Sequence, residues 1–315
     1  MGRYITQRLI QGVITVWLVT LGIFCLFRLS GDPVSYLLPP DATKEDRARL
    51  IAIYGFNEPL WKQYLVFNQN LLSGRFGPSL RWDSRDGLEV FLSRLPATLQ
   101  LTSAAMSFSI VVGVALGAMS ATRPGSLFDR VGKIVAIIGQ SMPVFWVGIL
   151  LILLFTVALG WLPSAGGMDR LGFKGLILPA VTLGWLFVAA HMRIVRSSML
   201  DVLDSDAIKM VRAKGMPRRI VVWKHAMKNA AIPVFTLFTV NFTQLISGAV
   251  VTETIFAWPG VGRLLVDSIF VRDYAVAQAV VFFAATFIVV TNIVVDITYA
   301  WLDPRVRIVG ERAAL

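Results

Sequence analysis

"LPATLQLTSAAMSFSIVVGVALGAMSAT", residues Leu95 to Thr122, contains no Lys, Arg, Asp or Glu. An α-helix needs about 20 predominantly apolar residues to cross a bilayer, with a range of roughly 17 to 25. This stretch meets that length. Its Ser, Ala and Gly side chains, with glycines at 113 and 117, permit close backbone approach between helices in lipid. The glycine pair fits packing within this chain or a seam with a second subunit.

The same reading extends outward. Charge-free runs cover Leu9 to Phe27, Ile134 to Met168, Gly175 to Met192 and Tyr274 to Val295, and Asn229 to Gly262 is broken only by Glu253. Soluble bundles use shorter apolar stretches with one polar face. Six long runs therefore predict an all-α polytopic membrane protein with six transmembrane helices. Within the third run, Pro143 is expected near the start of one helix or at a kink, with Trp161, Pro163 and Gly166-Gly167 marking the exit. The first run is too long for a signal-peptide core, and no small-residue cleavage pattern follows at Arg28 to Asp32, so it is read as a retained span. The lone Cys25 sits inside it and forms no intrachain disulfide. Trp161, Trp258 and Trp301 are placed at the membrane interfaces.

Charged residues make up 16% of the chain, against about 25% in soluble domains. Their distribution sets the topology. With both termini inside, the inner segments carry seventeen Lys or Arg against six Asp or Glu, which accounts for the whole net charge of +11. The two short outer connections hold only Arg170, Lys174, Arg263 and Arg272. Cytoplasmic termini follow from the excess of cations on inner loops. The basic balance thus reflects topology rather than nucleic-acid binding. The long segment from Gly31 to Arg94 is nearly neutral and reads as a folded outer cap, a docking face for an external partner, or both. The chain divides accordingly into residues 1–94, the first helix and its outer segment, and 95–315, a five-helix core.

One inner segment stands apart. From Arg212 to Lys228 there are six cations. Acids at Asp201, Asp204 and Asp206 and bases at Arg212 and Lys214 suit the two ends of a helix dipole. Gly215 offers a C-terminal cap and Pro217 a restart. Two helices joined near Gly215 are predicted on the cytoplasmic surface, the second burying Ile220, Trp223, Met227 and Ala231 on one stripe, with Arg218, His225 and Asn229 pointing away. Such an element is built to dock another protein; anionic headgroups alone would explain its cations but not its caps.

"RAKG" (Arg212 to Gly215) followed by "KHAMKNAAIP" (Lys224 to Pro233) resembles the cytoplasmic EAA loop of bacterial ABC-importer permeases, in the branch that imports peptides, nickel and related solutes. Lys209, Met210 and Val211 replace the Glu-Ala-Ala of the wider pattern, so the match rests on Ala213, Lys214, Gly215, His225, Asn229 and Pro233; Lys228 stands where many permeases outside this branch have Pro. Further strings match the family in order, among them "SMPVFWVG" (Ser141 to Gly148), "RIVRSSMLDVL" (Arg193 to Leu203), "FAWPGVGRLL" (Phe256 to Leu265) and "DPRVR" (Asp303 to Arg307).

The resemblance implies a B-type permease subunit of the inner membrane. Its partners would be a C-type permease, two ATPase subunits and an extracytoplasmic solute-binding protein. Transport would run by alternating access, with the coupling loop near 201–232, including Lys209, Arg212, Ala213, Lys214, Gly215, His225 and Asn229, seated in an ATPase groove. Peptides are the expected solute, with nickel or glutathione as the alternative and a passive channel less favoured. No phosphate-binding loop is present, because Gly132-Lys133 is followed by Ile134 and Leu127 stands where the first Gly belongs. ATP and Mg would therefore be used by a partner, and no cofactor is expected on this chain. Two His and one Cys give neither a metal set nor a catalytic triad. Candidates for the translocation path are Asn241, Gln244, Glu253, Asn292 and Asp296; interhelical hydrogen bonding is the competing role.

Overall fold

The computed structural model describes residues 2–29, 42–54, 57–79 and 81–302. Among these residues the chain is helical, apart from turns and one isolated antiparallel bridge between Pro78 and Asp86. In order the α-helices are α1 (Gly2–Leu29), α2 (Lys44–Tyr54), α3 (Leu60–Leu72), α4 (Gly87–Thr122), α5 (Leu127–Ser141), α6 (Val144–Leu151), α7 (Met168–Leu171), α8 (Phe173–Leu203), α9 (Asp206–Ala213), α10 (Arg218–Ile220), α11 (Met227–Ile255), α12 (Val261–Phe270) and α13 (Tyr274–Leu302). Two π-helical turns, Ile152–Ala158 and Val221–Ala226, continue α6 and precede α11.

Four helical stretches are long and apolar enough to cross a membrane alone: Ile5–Leu29, Gly87–Thr122, Phe173–Leu203 and Tyr274–Thr298. The third apolar run departs from the expected single rod. Its helices Leu127–Ser141 and Val144–Ala158 meet at 108° and make a fifth crossing only if taken together. The cause is local. Proline disfavours the helical region for the residue before it, and Met142 is extended at φ −82°, ψ 132°. Pro143 then caps α6 instead of kinking a continuous helix. The remaining run carries α11, which ends at Ile255, so residues 256–260 turn back rather than extend a span.

The chain forms two compact units, one of Met1–Pro96 with Arg263–Leu315 and one of Ala97–Gly262. In the first, α1 lies along α13. Gly12 permits this approach, since a Cβ there would stand 2.7 Å from Ile293 Cδ1. Arg8 Nε closes the pair on Asp296 Oδ2 at 3.1 Å. Ile23, Leu71, Phe76, Ala279 and Phe282 form the unit's core. The long segment between α1 and α4 is folded where described: Asp86 accepts from the amides of Phe76, Gly77 and Leu88, and Ser79 Oγ donates to Asp273 Oδ2 at 2.5 Å.

In the second unit α4 and α8 cross at small residues. A Cβ on Gly113 would lie 2.6 Å from His191 Cβ, and one on Gly117 would lie 2.7 Å from the Met192 carbonyl oxygen. The glycine pair thus serves packing within the chain. Leu101, Ala105, Leu183, Phe187, Leu245 and Trp258 form the core shared by α4, α8 and α11. Trp258 corrects the interface assignment: it is 0% exposed, and its indole N–H donates to the Ala97 carbonyl at 2.8 Å. Trp161 is exposed as an interfacial ring would be, and the side chain of Trp301 lies outside the described residues.

Candidate functional site: the basic segment and its base

Helix α8 ends at Leu203, and Asp204 and Ser205 separate it from α9. Asp206 in the first turn of α9 and Arg212 in the last match the helix dipole. Lys209 pairs with Asp206 at 2.9 Å on the open surface. At the far end Gly215 adopts φ +76° and donates its amide to the Arg212 carbonyl. That left-handed conformation favours glycine because it lacks a Cβ. Arg212, Ala213, Lys214 and Gly215 are all exposed. Pro217 then caps α10. Two helical pieces joined at Gly215 are therefore present as expected.

The buried face is not the expected one. Ile220 and Trp223 are exposed, Trp223 by 51%, whereas Val221, Val222 and Ala226 are buried. A π-helical turn explains the shift. The Met227 amide reaches back five residues to the Val222 carbonyl, so the turn holds an extra residue and later side chains change phase. Val221 and Ala226, five apart, then face the same way. His225 is half-buried, and Asn229 lies in the first turn of α11 with its side chain outside the described residues. From Arg218 to Ile255 the backbone is continuously helical, so the second half of the segment is the lower end of α11.

What anchors the segment was not visible in the pattern of cations. Ile208, 2% exposed, inserts from α9 into a cluster with Ala118, Ala121, Val195, Met199, Leu203, Val221 and Val222. The guanidinium of Arg218 donates to the Thr122 carbonyl at the end of α4. The segment is thus an apolar wedge fixed on α4 and α8, with Met210, Met216, Trp223 and the cations displayed outward. Such a surface offers apolar anchors and positive charge to a protein partner.

The path candidates fall into different settings. Gln244 and Asn292 are exposed on their helices. Asn241 is buried, and its Nδ2 has no hydrogen-bond partner among the described residues. Asp296 is engaged by Arg8. Glu253 is 0% exposed inside a small knot: the Val261 amide donates to Thr98 Oγ1 at 2.8 Å, and that hydroxyl donates to Glu253 Oε1 at 2.7 Å. Gly260 and Gly262 lie so close to the carboxylate that a side chain on either would collide with it or with Val250. The "FAWPGVG" string is therefore a turn built around Glu253 and Trp258. Among the described residues no three His, Cys, Asp or Glu gather as a metal site.

Residues 113–308 match the model of the binding-protein-dependent transport system inner membrane component. The chain belongs to this permease family. It is 41% identical to the di/tripeptide transport system permease protein of Pseudomonas aeruginosa, over 98% of this chain and 99% of the relative. It is 37% identical to the oligopeptide transport system permease protein of Bacillus subtilis, over 98% and 100%. The glutathione transport system permease protein of Salmonella choleraesuis is 38% identical over 98% and 99%. In fold, the permease resembles a chain from an inward-facing structure of the MetNI methionine ABC transporter, with TM-score 0.56, 18% identity, and coverage of 68% of this chain and 96% of that one.

Proposed function

We propose that this permease is the B-type membrane subunit of an ATP-driven importer of short peptides, working by alternating access. The observation that carries the reading is the near-full-length identity to a di/tripeptide permease, joined to a basic segment whose docking side is exposed and whose other side is wedged into α4 and α8. A C-type permease completes the pore, an extracytoplasmic binding protein delivers solute, and two ATPase subunits use ATP and Mg. Lys209, Arg212, Ala213, Lys214, Gly215, His225 and Asn229 form or support the ATPase contact. Both termini are cytoplasmic, and the five-helix part, 95–315, carries the pathway.

Gln244 and Asn292, open on their helices, contribute polarity to the path, and Asn241, buried on α11, adds to it. Glu253 and Asp296 shape it from within the protein by holding the 256–262 turn and α1. Glutathione is itself a tripeptide, and the 38% identity to a glutathione permease favours it as a second solute class. Uptake of labelled dipeptide, oligopeptide, glutathione and nickel into proteoliposomes holding the full assembly discriminates these readings. ATP-dependent accumulation of a peptide is expected; accumulation of nickel alone would overturn the solute assignment.

A further inference from the structure

Asp129 is 0% exposed, yet it is a carboxylate that neither the docking surface nor the path uses. It sits in the first turn of α5, which Ser126 caps, and ties that turn to the end of α4 and to α8. Arg196 of α8 grips it with two bonds, Nε to Oδ1 at 2.7 Å and Nη2 to Oδ2 at 3.1 Å. Lys133, one turn further along α5, reaches Oδ2 at 2.9 Å. Ser120 of α4 donates its hydroxyl to Oδ1 and also accepts from Arg196 Nε. The Gly125 amide supplies a further bond at 3.0 Å, from a glycine at φ +77°. Two-pronged guanidinium–carboxylate pairs fix orientation as well as distance.

The position of this knot gives it a task. Ser120 and Thr122 belong to the end of α4 on which the basic segment rests, through Arg218 and the Ile208 cluster. Arg196 lies two turns before the end of α8, which leads into α9. Helix α5 otherwise meets α8 through apolar packing alone, Ala136 with Ala189 and Met192, Gly132 under Met192 and Gly139 against the Trp185 ring, so the Asp129 knot is the directional, charged link between the two helices. At its other end α5 stops at the Met142–Pro143 break, 108° from the helix that follows. It is a short rod, clamped by charge at one end and bent at the other.

We infer that Asp129 is a positioning residue that makes α5 move as one body with the base of the basic segment, so that a push received there reaches the α5–α6 bend. This rests on the proposed coupling role and adds to it a route by which the motion spreads. A partner biases a conformational change only through elements that differ between the two states; the knot determines whether α5 is one of them.

The test uses the complete assembly in proteoliposomes, with Asp129→Asn, Arg196→Lys and the exchanged pair D129R/R196D. ATP hydrolysis and peptide uptake are read together. Wild-type uptake that depends on ATP and on the ATPase subunits establishes the coupling role itself; its absence would sink that role and not the knot. Given coupling, Asp129→Asn is expected to keep ATP hydrolysis within about twofold while uptake falls about tenfold, a difference of ~1.4 kcal/mol in coupling. Arg196→Lys, which keeps the charge but loses one prong, falls in between, and the exchanged pair recovers part of the loss. Spin labels at Arg130 and Asp204, both exposed, are expected to hold one narrow distance through the ATP cycle in otherwise wild-type protein and to broaden in Asp129→Asn. An unchanged ratio of ATP spent to peptide moved in assembled Asp129→Asn overturns the inference. If Asp129→Asn does not assemble, Arg196→Lys decides by the same ratio.

Discussion

Trp258 and Glu253 show how two residues with several possible roles are committed by their neighbours. A tryptophan near the end of a span suits a headgroup belt as well as a core, because its ring is apolar and its N–H is polar. Here the Ala97 carbonyl takes the N–H, and the ring fills the core of the second unit. In lipid, the apolar transfer term between helices is small, so the cost of losing such a ring comes from the cavity left behind. Trp258→Phe is expected to cost about 1 kcal/mol, the lost hydrogen bond, and Trp258→Ala about 3 kcal/mol or more. Thermal unfolding of the detergent-solubilised protein reads both. Equal losses would mean that the ring is not packed. Glycines divide in the same way. Gly117→Leu is expected to abolish folded protein, because the Met192 carbonyl already occupies that space. Gly215→Ala meets nothing within 4 Å and pays only for its left-handed backbone, about 1–2 kcal/mol. It should fold, with a lower melting temperature; monodisperse elution of Gly117→Leu would contradict this account of the crossing.

At the scale of elements, legibility followed the range of the interaction that shapes them. The apolar lengths of α1, α4, α8 and α13 and the stop at Gly215 are written in adjacent residues, and all were readable. The Pro143 break was half-readable: proline announced a disturbance, but the 108° angle depends on what α5 and α6 pack against. The second helix of the basic segment was placed correctly and faced wrongly. A stripe drawn at 3.6 residues per turn cannot foresee a π-helical turn, since the inserted residue is chosen by packing on α4 and α8. Asp129 and Arg196 lie 67 residues apart, so no local pattern pairs them. The corrected face is testable. Val222→Asp is expected to prevent folding, because it buries a charge without a partner. Trp223→Asp, on the exposed side, should leave the melting temperature within about 0.5 kcal/mol of wild type in stability and weaken ATPase association. The reverse result would restore the simple stripe.

The whole molecule assigns separate tasks to separate regions of one apolar chain. Its net charge of +11 falls on the segments proposed to lie inside, where seventeen Lys or Arg face six Asp or Glu. One of those segments is folded into a wedge rather than left as a solvated loop, and that wedge continues without interruption into α11. In the proposed mechanism the energy for uphill transport comes from a partner ATPase docked on that wedge. Its near-full-length match to peptide permeases places it among proteins of that kind. The solute is less legible than the fold, because the proposed path residues Gln244 and Asn292 are exposed amides, not a fixed set of groups that would select one cargo. The most direct measurement is peptide uptake by the reconstituted assembly, together with co-purification of its ATPase subunits, before and after deletion of residues 206–217. Loss of both ATP-driven uptake and ATPase association on deletion is the predicted result. Retained association, or downhill peptide flux through this chain without any ATPase, would contradict it.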